Sequence, residues 1–331
     1  MRCKWVIVGT VAVLAIALMA AVLPRFSDEQ RTLASLRKVD DHPLYVMRYH
    51  GDYDLEMRLQ GSPSPSSREL SAWQGVNHAW ACTCFAVLGE PGDKLLGRNF
   101  DWYDHPALLL FTDPPDGYAS VSMVDISYLG FSGQAMPATE RERLLEAPFW
   151  PFDGMNERGL GVGMMAVPRA KAARDADKVS LEGLLVMRVL LDRAQDVEEA
   201  IALLPQYNVY FHGPPLHYLL ADASGHSAVV EFVDGYMRVL RNGQPWQVST
   251  NFVISEAQPQ GADSECWRYN RVHEVLKGVG GGLSDEEAMD LLKTVSQGNT
   301  IWSLVYNLSS GEVRVAMARE YDEAHLFRLD K

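Results

Sequence analysis

The sequence predicts an α+β fold in which antiparallel sheets and helices form separate layers. Apolar runs typical of strands occur in pairs around turn signals, as at residues 79–102 and 217–240. Segments with helical spacing or helix-start signals are grouped between these pairs. Because strands and helices are grouped in this way, we expect layered sheets rather than a parallel, doubly wound sheet.

The N-terminal half of the chain supplies the first predicted elements. A charged segment at 27–38 is predicted as a helix, and residues 42–53 are predicted as a strand. The Gly-, Ser- and Pro-rich residues 61–67 indicate a flexible linker. Two apolar runs within 79–102 flank a turn at 89–93 and predict a hairpin. A turn at 156–159 precedes a further predicted strand at 160–167.

The C-terminal half is predicted from cap and turn signals. Helices are expected where an acid or serine cap precedes apolar residues at helical spacing, or where a glycine ends such a run: 180–193, 196–204, 263–277 and from Ser284 onward. Strands are expected where apolar runs flank short Asp- and Gly-containing turns or close the chain: 217–232, 236–240, 301–308, 312–318 and near Phe327.

The N-terminus carries a segment that we interpret as separate from the fold. Arg2 and Lys4 precede an uncharged run over residues 5–23. A basic start followed by such a run is typical of a signal peptide or a membrane anchor, so residues 1–24 are assigned to one of these. We therefore expect export to the periplasm or the cell exterior, with membrane contact only through this segment.

Composition excludes several classes of protein. The formal net charge of −13 disfavours a nucleic-acid binder, which needs a basic surface. The four cysteines lack the paired spacing of a structural zinc site and are too few for a disulfide scaffold. A folded, acidic enzyme remains.

The predicted hairpin around residue 90 contains the most informative residues. If the hairpin is centred on residue 90, Arg98 stands opposite Cys82 on the same face of the sheet. A cation at that place lowers the pKa of a thiol. Asp101 would lie on the opposite face of a straight strand and would reach the thiol only if the chain bends after Asn99. The alternative is an ordinary hairpin with a buried, inert cysteine.

Several motifs in order along the chain resemble those of a known enzyme family. Cys82-Thr83, with Arg98 sixteen and Asp101 nineteen residues on, resembles the choloylglycine hydrolase and penicillin V acylase family, and its acid ceramidase and isopenicillin N acyltransferase branches. Further matching motifs are DGMNERGL at 153–160, LADASG at 220–225, STNF at 249–252, Arg268-Tyr269 and TIWSLVYN at 300–307. The resemblance implies a four-layer αββα sandwich of the N-terminal nucleophile hydrolases, acting on linear amide C–N bonds.

The resemblance also implies a domain organisation and a mechanism. The chain would be cut between Ala81 and Cys82, so that 25–81 is a propeptide and 82–331 is the catalytic domain. Cys82 would then serve as the nucleophile, with its own α-amine as the base, in hydrolysis or acyl transfer. Its substrate would be a small acylated amine or amide, and no cofactor or metal is implied.

Four more residues receive roles from the resemblance. Arg98 would polarise the thiol, Asp101 would hold the α-ammonium group, Asn251 would donate to the oxyanion, and Arg268 would support the site electrostatically. The sequence departs from the bile-salt branch at Ala166, where that branch has a second asparagine. A backbone N–H would have to replace that donor, or the substrate differs.

Other assignments around the site remain open at this point. Trp102, Tyr103 and Phe111 are candidates for an acyl-binding pocket, or simply for the core. Cys84 and Cys266 are both expected near the site, where they form a disulfide or stay as two unpaired buried thiols.

Two other functions compete with the amide hydrolase. A papain-like thiol peptidase would use a distant histidine, His226 or His273, as its base and would need no cleavage before Cys82. An inactive relative that acts as a binding protein would stay uncut and carry an unreactive Cys82.

Overall fold

The computed structural model describes residues 26–61, 81–132, 136–257 and 266–330. Its α-helices are α1 (Asp28–Ala34), α2 (Leu55–Gly61), α3 (Gly183–Arg193), α4 (Val197–Leu203), α5 (Trp267–Gly278) and α6 (Asp285–Thr294). Its strands from the first half of the chain are β1 (Arg37–Asp40), β2 (Leu44–Arg48), β3 (Thr83–Val87), β4 (Leu95–Asp101), β5 (Ala107–Thr112), β6 (Ser120–Asp125), β7 (Pro151–Asn156) and β8 (Leu160–Ala166). The second half adds β9 (Ser180–Glu182), β10 (Asn208–Tyr210), β11 (Leu216–Asp222), β12 (Ser227–Val233), β13 (Tyr236–Arg241), β14 (Trp246–Ser249), β15 (Thr300–Asn307), β16 (Glu312–Met317) and β17 (His325–Arg328). Short 3-10 helices occupy Ile126–Leu129, Ala138–Phe149, Leu204–Gln206, Ile254–Glu256 and Tyr321–Glu323.

Two large sheets form the centre of the molecule. The larger sheet has nine strands in the order β1-β2-β5-β6-β7-β8-β11-β12-β13, and the smaller has six in the order β14-β3-β4-β15-β16-β17. Helix α3 packs on β7 and β8 of the larger sheet, while α5 and α6 pack on β14, β3, β4 and β15 of the smaller one. Contacts of β3 and β4 with β8 and β11 join the two sheets face to face. The predicted α+β class and the αββα layering are therefore confirmed.

Alternating side chains in β3 show how one strand serves two layers. Cys84 and Ala86 belong to the apolar core between the sheets, together with residues of β8 and β11. Phe85 and Val87 belong to a second core with Val272 of α5 and residues of α6. Since successive side chains of a strand point to opposite faces, this strand places Cys82 and Cys84 in the interior of the sandwich.

The N-terminal segment is part of the larger sheet. Strand β2 pairs in parallel with β5, and β1 pairs with β2 at the edge of the sheet. The predicted helix at 27–38 is too long, because the helix ends at Ala34 and the chain turns into β1. The predicted strand at 42–53 is likewise longer than the observed Leu44–Arg48. The expected propeptide thus contributes two strands to the body, and its removal by cleavage stays a prediction.

The predicted signal or anchor at 1–24 and residues 62–67 of the predicted linker lie outside the described residues. In the part of the chain that the structure does describe, no helix has the length and apolar character needed to cross a membrane.

Candidate active site

Cys82 lies directly before β3, at the end of the sandwich where several strands begin or end. Cys82 is 1% exposed, and its backbone N–H donates a hydrogen bond of 2.6 Å to Asn251 Oδ1. Its Sγ lies 3.9 Å from Arg98 Nη2, at the limit of a hydrogen bond to sulfur. The thiol and the backbone nitrogen of one residue are therefore each in contact with a polar side chain.

The hairpin register differs from the predicted one. Cys84, and not Cys82, is the residue opposite Arg98, because β3 and β4 pair with Thr83 against Asn99. The turn is therefore centred one residue further along the chain than predicted. Arg98 still reaches Cys82, because a diagonal neighbour on the same face of a sheet is within reach of a long side chain.

Arg98 is held in place by a buried carboxylate. Its Nε lies 3.2 Å from Asp153 Oδ2, both side chains are fully buried, and its Nη1 donates to the Phe152 carbonyl at 2.6 Å. Asp153 also accepts a hydrogen bond from the Tyr306 hydroxyl at 2.6 Å. Sequence reasoning matched the motif that starts at Asp153 but gave this residue no role. An acid inside an otherwise apolar strand is the signal that could have revealed it.

Asp101, the last residue of β4, lies on the helix-covered side of the smaller sheet. Its carboxylate accepts hydrogen bonds from Thr300 Oγ1 and from Gln297 Nε2, the latter at 2.7 Å. The backbone of Asp101 donates a hydrogen bond to the Cys82 thiol, so this end of β4 does reach the sulfur. Gln297 Nε2 also lies 3.5 Å from the carbonyl oxygen of Ala81. Burial raises the pKa of Asp101, although the hydrogen bonds from Thr300 and Gln297 lower it. Asp101 thus reaches the Ala81–Cys82 bond through Gln297, which sequence reasoning missed.

Asn251 and Arg268 meet at the backbone of Cys82. Arg268, on α5, donates to the carbonyl oxygen of Cys82 and to Thr83 Oγ1, and its Nη2 lies 3.1 Å from Asn251 Oδ1. Asn251 Nδ2 donates to the Ala166 carbonyl at 2.8 Å. The structure therefore brings Cys82, Arg98, Asp101, Asn251 and Arg268 together.

The surroundings of the thiol have opposing effects on its ionisation. Burial raises the pKa of Cys82, while Arg98 lowers it and the charge of Asp101 raises it; the net direction is upward. In the uncut chain the thiol form is therefore favoured, and the nitrogen of Cys82, as an amide, cannot take up the thiol proton. A free amine at this place would accept the proton and so favour attack of the sulfur on a substrate carbonyl.

The predicted disulfide between Cys84 and Cys266 is not present in the structure. Cys84 lies between the sheets, close to Gly163 of β8. Cys266 caps α5 on the other side of the smaller sheet, where Thr250 Oγ1 donates to its sulfur. The sheet itself separates the two sulfurs.

The three aromatic candidates for a substrate pocket lie in different places. Trp102 and Tyr103 directly follow Asp101, and their rings contact each other edge to face with centroids 4.8 Å apart. Tyr103 is 67% exposed. Phe111 is buried in β5 beneath Arg48, and the register sets it level with Met155 of β7. It lies several residues from the strand ends around Cys82, so it belongs to the core of the sheet and not to the site.

The two histidines considered as a base for a papain-like mechanism lie elsewhere. His226 belongs to the turn between β11 and β12, next to Ser224 and at the opposite ends of these strands from Cys82. His273 stacks on Tyr269 on the outer face of the smaller sheet. The structure therefore does not bring either of them to the thiol.

One histidine that sequence reasoning did not single out lies behind Asn251. His217 Nε2 is 2.7 Å from the carbonyl oxygen of Thr250, and its Nδ1 is 3.2 Å from Glu231. The pair could have been found from the sequence, because a histidine and a glutamate occupy facing positions in two otherwise apolar predicted strands.

Two facing sheets between layers of helices, with a buried thiol at one end, define the αββα fold of the N-terminal nucleophile hydrolases. The structure is similar to penicillin V acylase from Agrobacterium tumefaciens, with a TM-score of 0.51, 19% identity and coverage of 72% of this chain and 83% of that chain. It is similar to a variant of conjugated bile acid hydrolase from Clostridium perfringens, with a TM-score of 0.55, 17% identity and coverage of 75% and 92%. It is also similar to the N-acylethanolamine-hydrolyzing acid amidase orthologue of Caenorhabditis elegans, with a TM-score of 0.50, 14% identity and coverage of 75% and 100%. At these identities the likeness concerns the fold.

Sequence comparison goes further than the fold. Residues 82–253 match the linear amide C–N hydrolases of the choloylglycine hydrolase family, and this match covers just over half of the chain. The chain belongs to this family. It is also 27% identical over 187 residues to the penicillin V acylase of Pectobacterium atrosepticum, across 52% of this chain and 49% of that protein. The chain thus matches about half the length of this curated relative.

Proposed function

We propose that this protein hydrolyses the amide bond of small acylated amines through a thioester on Cys82. The observation that carries the proposal is the set of polar contacts around one residue, Cys82. Asn251 accepts from the backbone nitrogen of Cys82, Arg268 donates to its carbonyl, and Arg98 faces its sulfur. These three side chains come from distant parts of the chain, and they converge on the residue at which the family match begins.

The first step is cleavage of the bond between Ala81 and Cys82. The sulfur attacks the Ala81 carbonyl carbon, the thiol proton passes to the nitrogen of Cys82, the C–N bond breaks, and the acyl group moves from nitrogen to sulfur. Water then hydrolyses this thioester, which leaves a carboxylate on Ala81 and a free α-amine on Cys82. Gln297, at 3.5 Å from the Ala81 carbonyl oxygen, is placed to stabilise the negative charge that develops there.

The free amine then supplies a base, which the amide nitrogen of the uncut chain cannot do. An α-amine has an ordinary pKa of about 7.7–8.0, so it exchanges protons near neutral pH. It takes the thiol proton, the thiolate attacks the substrate carbonyl, and the same group returns the proton to the leaving amine. Water resolves the resulting thioester; a second amine in place of water would make the reaction an acyl transfer. Asn251 Oδ1, which already accepts from this nitrogen, would orient the amine.

Asn251 also carries the donor for the oxyanion. Its NH₂ group has two N–H bonds, of which the contact with Ala166 uses one. The second would donate to the substrate oxygen in the tetrahedral intermediate, a contribution of about 3–4 kcal/mol where such donors have been removed. The backbone N–H of Val167, a possible substitute for the asparagine of the bile-salt branch, donates to the Pro215 carbonyl. The oxyanion site would therefore differ from that of the bile-salt branch.

We further propose that the enzyme is exported, with residues 1–24 as its signal or anchor. The support is the basic start and the uncharged run over residues 5–23. Mass spectrometry of the protein from the cell envelope and from the medium tests this, and detection of the intact chain in the cytoplasm alone would contradict it.

A substrate panel tests the proposed chemistry. The relatives are named for penicillin V and conjugated bile acids, so these two compounds and N-acylethanolamines are the first to try. Wild type is expected to release the free amine, with the Ala81–Cys82 bond cut in the intact mass. Cys82→Ala is expected to stay uncut and inactive, and Cys84→Ala, a buried cysteine two residues away, should keep activity. An active enzyme with the bond intact would refute the role of the α-amine.

A further inference from the structure

A buried histidine–glutamate pair stands behind the Asn251 segment. We propose that His217 and Glu231 are positioning residues that fix the backbone on both sides of Asn251. The proposal rests on the proposed function, because Asn251 is the residue on which the pair acts. Neither side chain contacts Cys82, so its effect would pass through Asn251.

The pair is built into two adjacent strands of the larger sheet. His217 is the second residue of β11 and Glu231 lies on β12, and the register that pairs Tyr218 with Val230 sets them opposite each other. Each is 1% exposed, and His217 Nδ1 lies 3.2 Å from Glu231 Oε1. The pair is therefore fixed by sheet pairing on its own side and shielded from water.

His217 holds the chain just before Asn251. Its Nε2 lies 2.7 Å from the Thr250 carbonyl oxygen and 3.1 Å from Ser249 Oγ. A carbonyl oxygen only accepts, so Nε2 is protonated, and Nδ1 faces a carboxylate. His217 thus links the Thr250 carbonyl to the carboxylate of Glu231 through one imidazole ring.

Glu231 holds the chain just after Asn251. Its Oε1 accepts from the backbone N–H of Ile254 at 2.6 Å, and its Oε2 accepts from Ser255 at 3.0 Å. Burial raises the pKa of Glu231, and the hydrogen bonds from His217 and Ser255 lower it by more, so the net shift is downward. The carboxylate form that these donors require is therefore maintained.

The two anchors leave a short span between them. Only residues 251–253 separate the carbonyl held by His217 from the first amide held by Glu231. Before this span, Ser249 of β14 pairs with Cys84 of β3, which ties the segment to the strand that follows Cys82. A displacement of about 1 Å in a group that acts on the transition state can reduce the rate about a hundredfold. The pair thus joins the position of Asn251 to both sheets.

Conservative variants test this role. His217→Gln keeps an N–H donor near the position of Nε2, and Glu231→Gln keeps the shape but removes the charge. We expect kcat to fall about 10- to 100-fold in Glu231→Gln and less in His217→Gln, with KM within about twofold of wild type. The matched controls are His226→Gln, a histidine between the same two strands, and Glu198→Gln, an exposed acid. Both should retain wild-type kcat.

A double-mutant cycle separates positioning from a general loss of stability. If the pair acts through Asn251, Glu231→Gln should lower kcat by less than about threefold in an Asn251→Ala background, since the positioned group is gone. Equal losses in both backgrounds would overturn the proposal. If a single variant leaves one buried partner without the other and does not fold, the double variant H217Q/E231Q replaces both partners together. Failure of the double variant to fold would also overturn it, because the pair would then support the fold.

Hydrogen exchange provides a readout that is independent of activity. If Glu231 holds the amides of Ile254 and Ser255, these amides should exchange faster in Glu231→Gln than in wild type, while exchange in the hairpin at 83–101 should be unchanged. Unchanged exchange at Ile254 and Ser255 would refute the role of Glu231 in holding this segment. If wild type hydrolyses none of the amides, the proposed function fails, while the exchange result still decides whether the pair holds this segment. If wild type is active and depends on Cys82 and Asn251 but not on the pair, only the positioning role fails.

Discussion

Substitution of Met47 tests whether the N-terminal segment is a permanent part of the enzyme. Met47 lies in β2, on the segment that precedes the proposed cleavage site, and its side chain is completely buried. It packs in an apolar cluster with Leu108 and Leu110 of β5 and with Val124 of β6. If the bond before Cys82 is cut, this packing would have to hold the segment on the larger sheet without a covalent link to the body.

The size of the effect follows from the burial. Truncation of a fully buried methionine to alanine costs about 2–5 kcal/mol, and about 3 kcal/mol is reasonable at an edge region of a sheet. In an uncut Cys82→Ala background this energy appears as a lower free energy of unfolding. In the cut protein the same energy would weaken the binding of the segment about a hundredfold, since 1.4 kcal/mol corresponds to a factor of ten.

The measurement uses both backgrounds. Urea unfolding followed by circular dichroism gives the free energy for the uncut protein, and dilution followed by size-exclusion chromatography gives the loss of the segment from the cut protein. Met57→Ala is the matched control, because Met57 belongs to α2 of the same segment and is 68% exposed. A Met47→Ala protein as stable as this control in both assays would refute the idea that the segment is packed into the sheet.

Three more predictions follow from single groups. Tyr53→Phe removes the hydrogen bond that the Tyr53 hydroxyl donates to Asp192 at 2.6 Å in a buried place, so the free energy of unfolding should fall by about 1.5–3 kcal/mol in urea titrations. Burial raises the pKa of Cys84 to about 12, so iodoacetamide at pH 8 should label the half-buried Cys266 well before Cys84, as read by peptide mass spectrometry; equal labelling would contradict this. The pKa of Glu231 is lower in the folded protein than its ordinary value of 4.5, so the carboxylate contributes to stability above pH 4.5. This contribution is lost as the pH falls through the folded pKa. In urea titrations below about pH 4.5, the free energy of unfolding should therefore fall more steeply in wild type than in Glu231→Gln.

Local signals in the sequence were sufficient for most of the fold. The capping box that begins at Ser284 forms as predicted, and Asp196 accepts a hydrogen bond from the Glu199 backbone at the start of α4. The hairpin at 83–101 was predicted from its turn residues, and the layered arrangement followed from the grouping of elements. These features depend on residues a few positions apart, where sequence spacing translates directly into geometry.

Long-range features could not be derived in the same way. The parallel pairing of β2 with β5 joins segments about sixty residues apart, and a strand pattern alone does not specify its partner. The hairpin centre was placed one residue too early, because the turn contains two glycines and a proline that allow more than one register. The link from Asp153 to Arg98 likewise requires the two sheets to face each other.

The geometry around Cys82 bears on what cleavage would change. In the uncut chain its N–H already donates a hydrogen bond to Asn251 Oδ1, its carbonyl accepts one from Arg268, and its sulfur faces Arg98. Cleavage would therefore need no rearrangement of these partners; it would replace an amide N–H with an amine that can accept a proton. Because burial favours the protonated thiol and an amide nitrogen cannot accept its proton, a site that is geometrically complete would gain its base for substrate turnover only on cleavage. On this reasoning the proposed activation is chemical rather than conformational, and thiol reactivity at neutral pH should rise on cleavage while the positions of Arg98 and Asn251 stay the same.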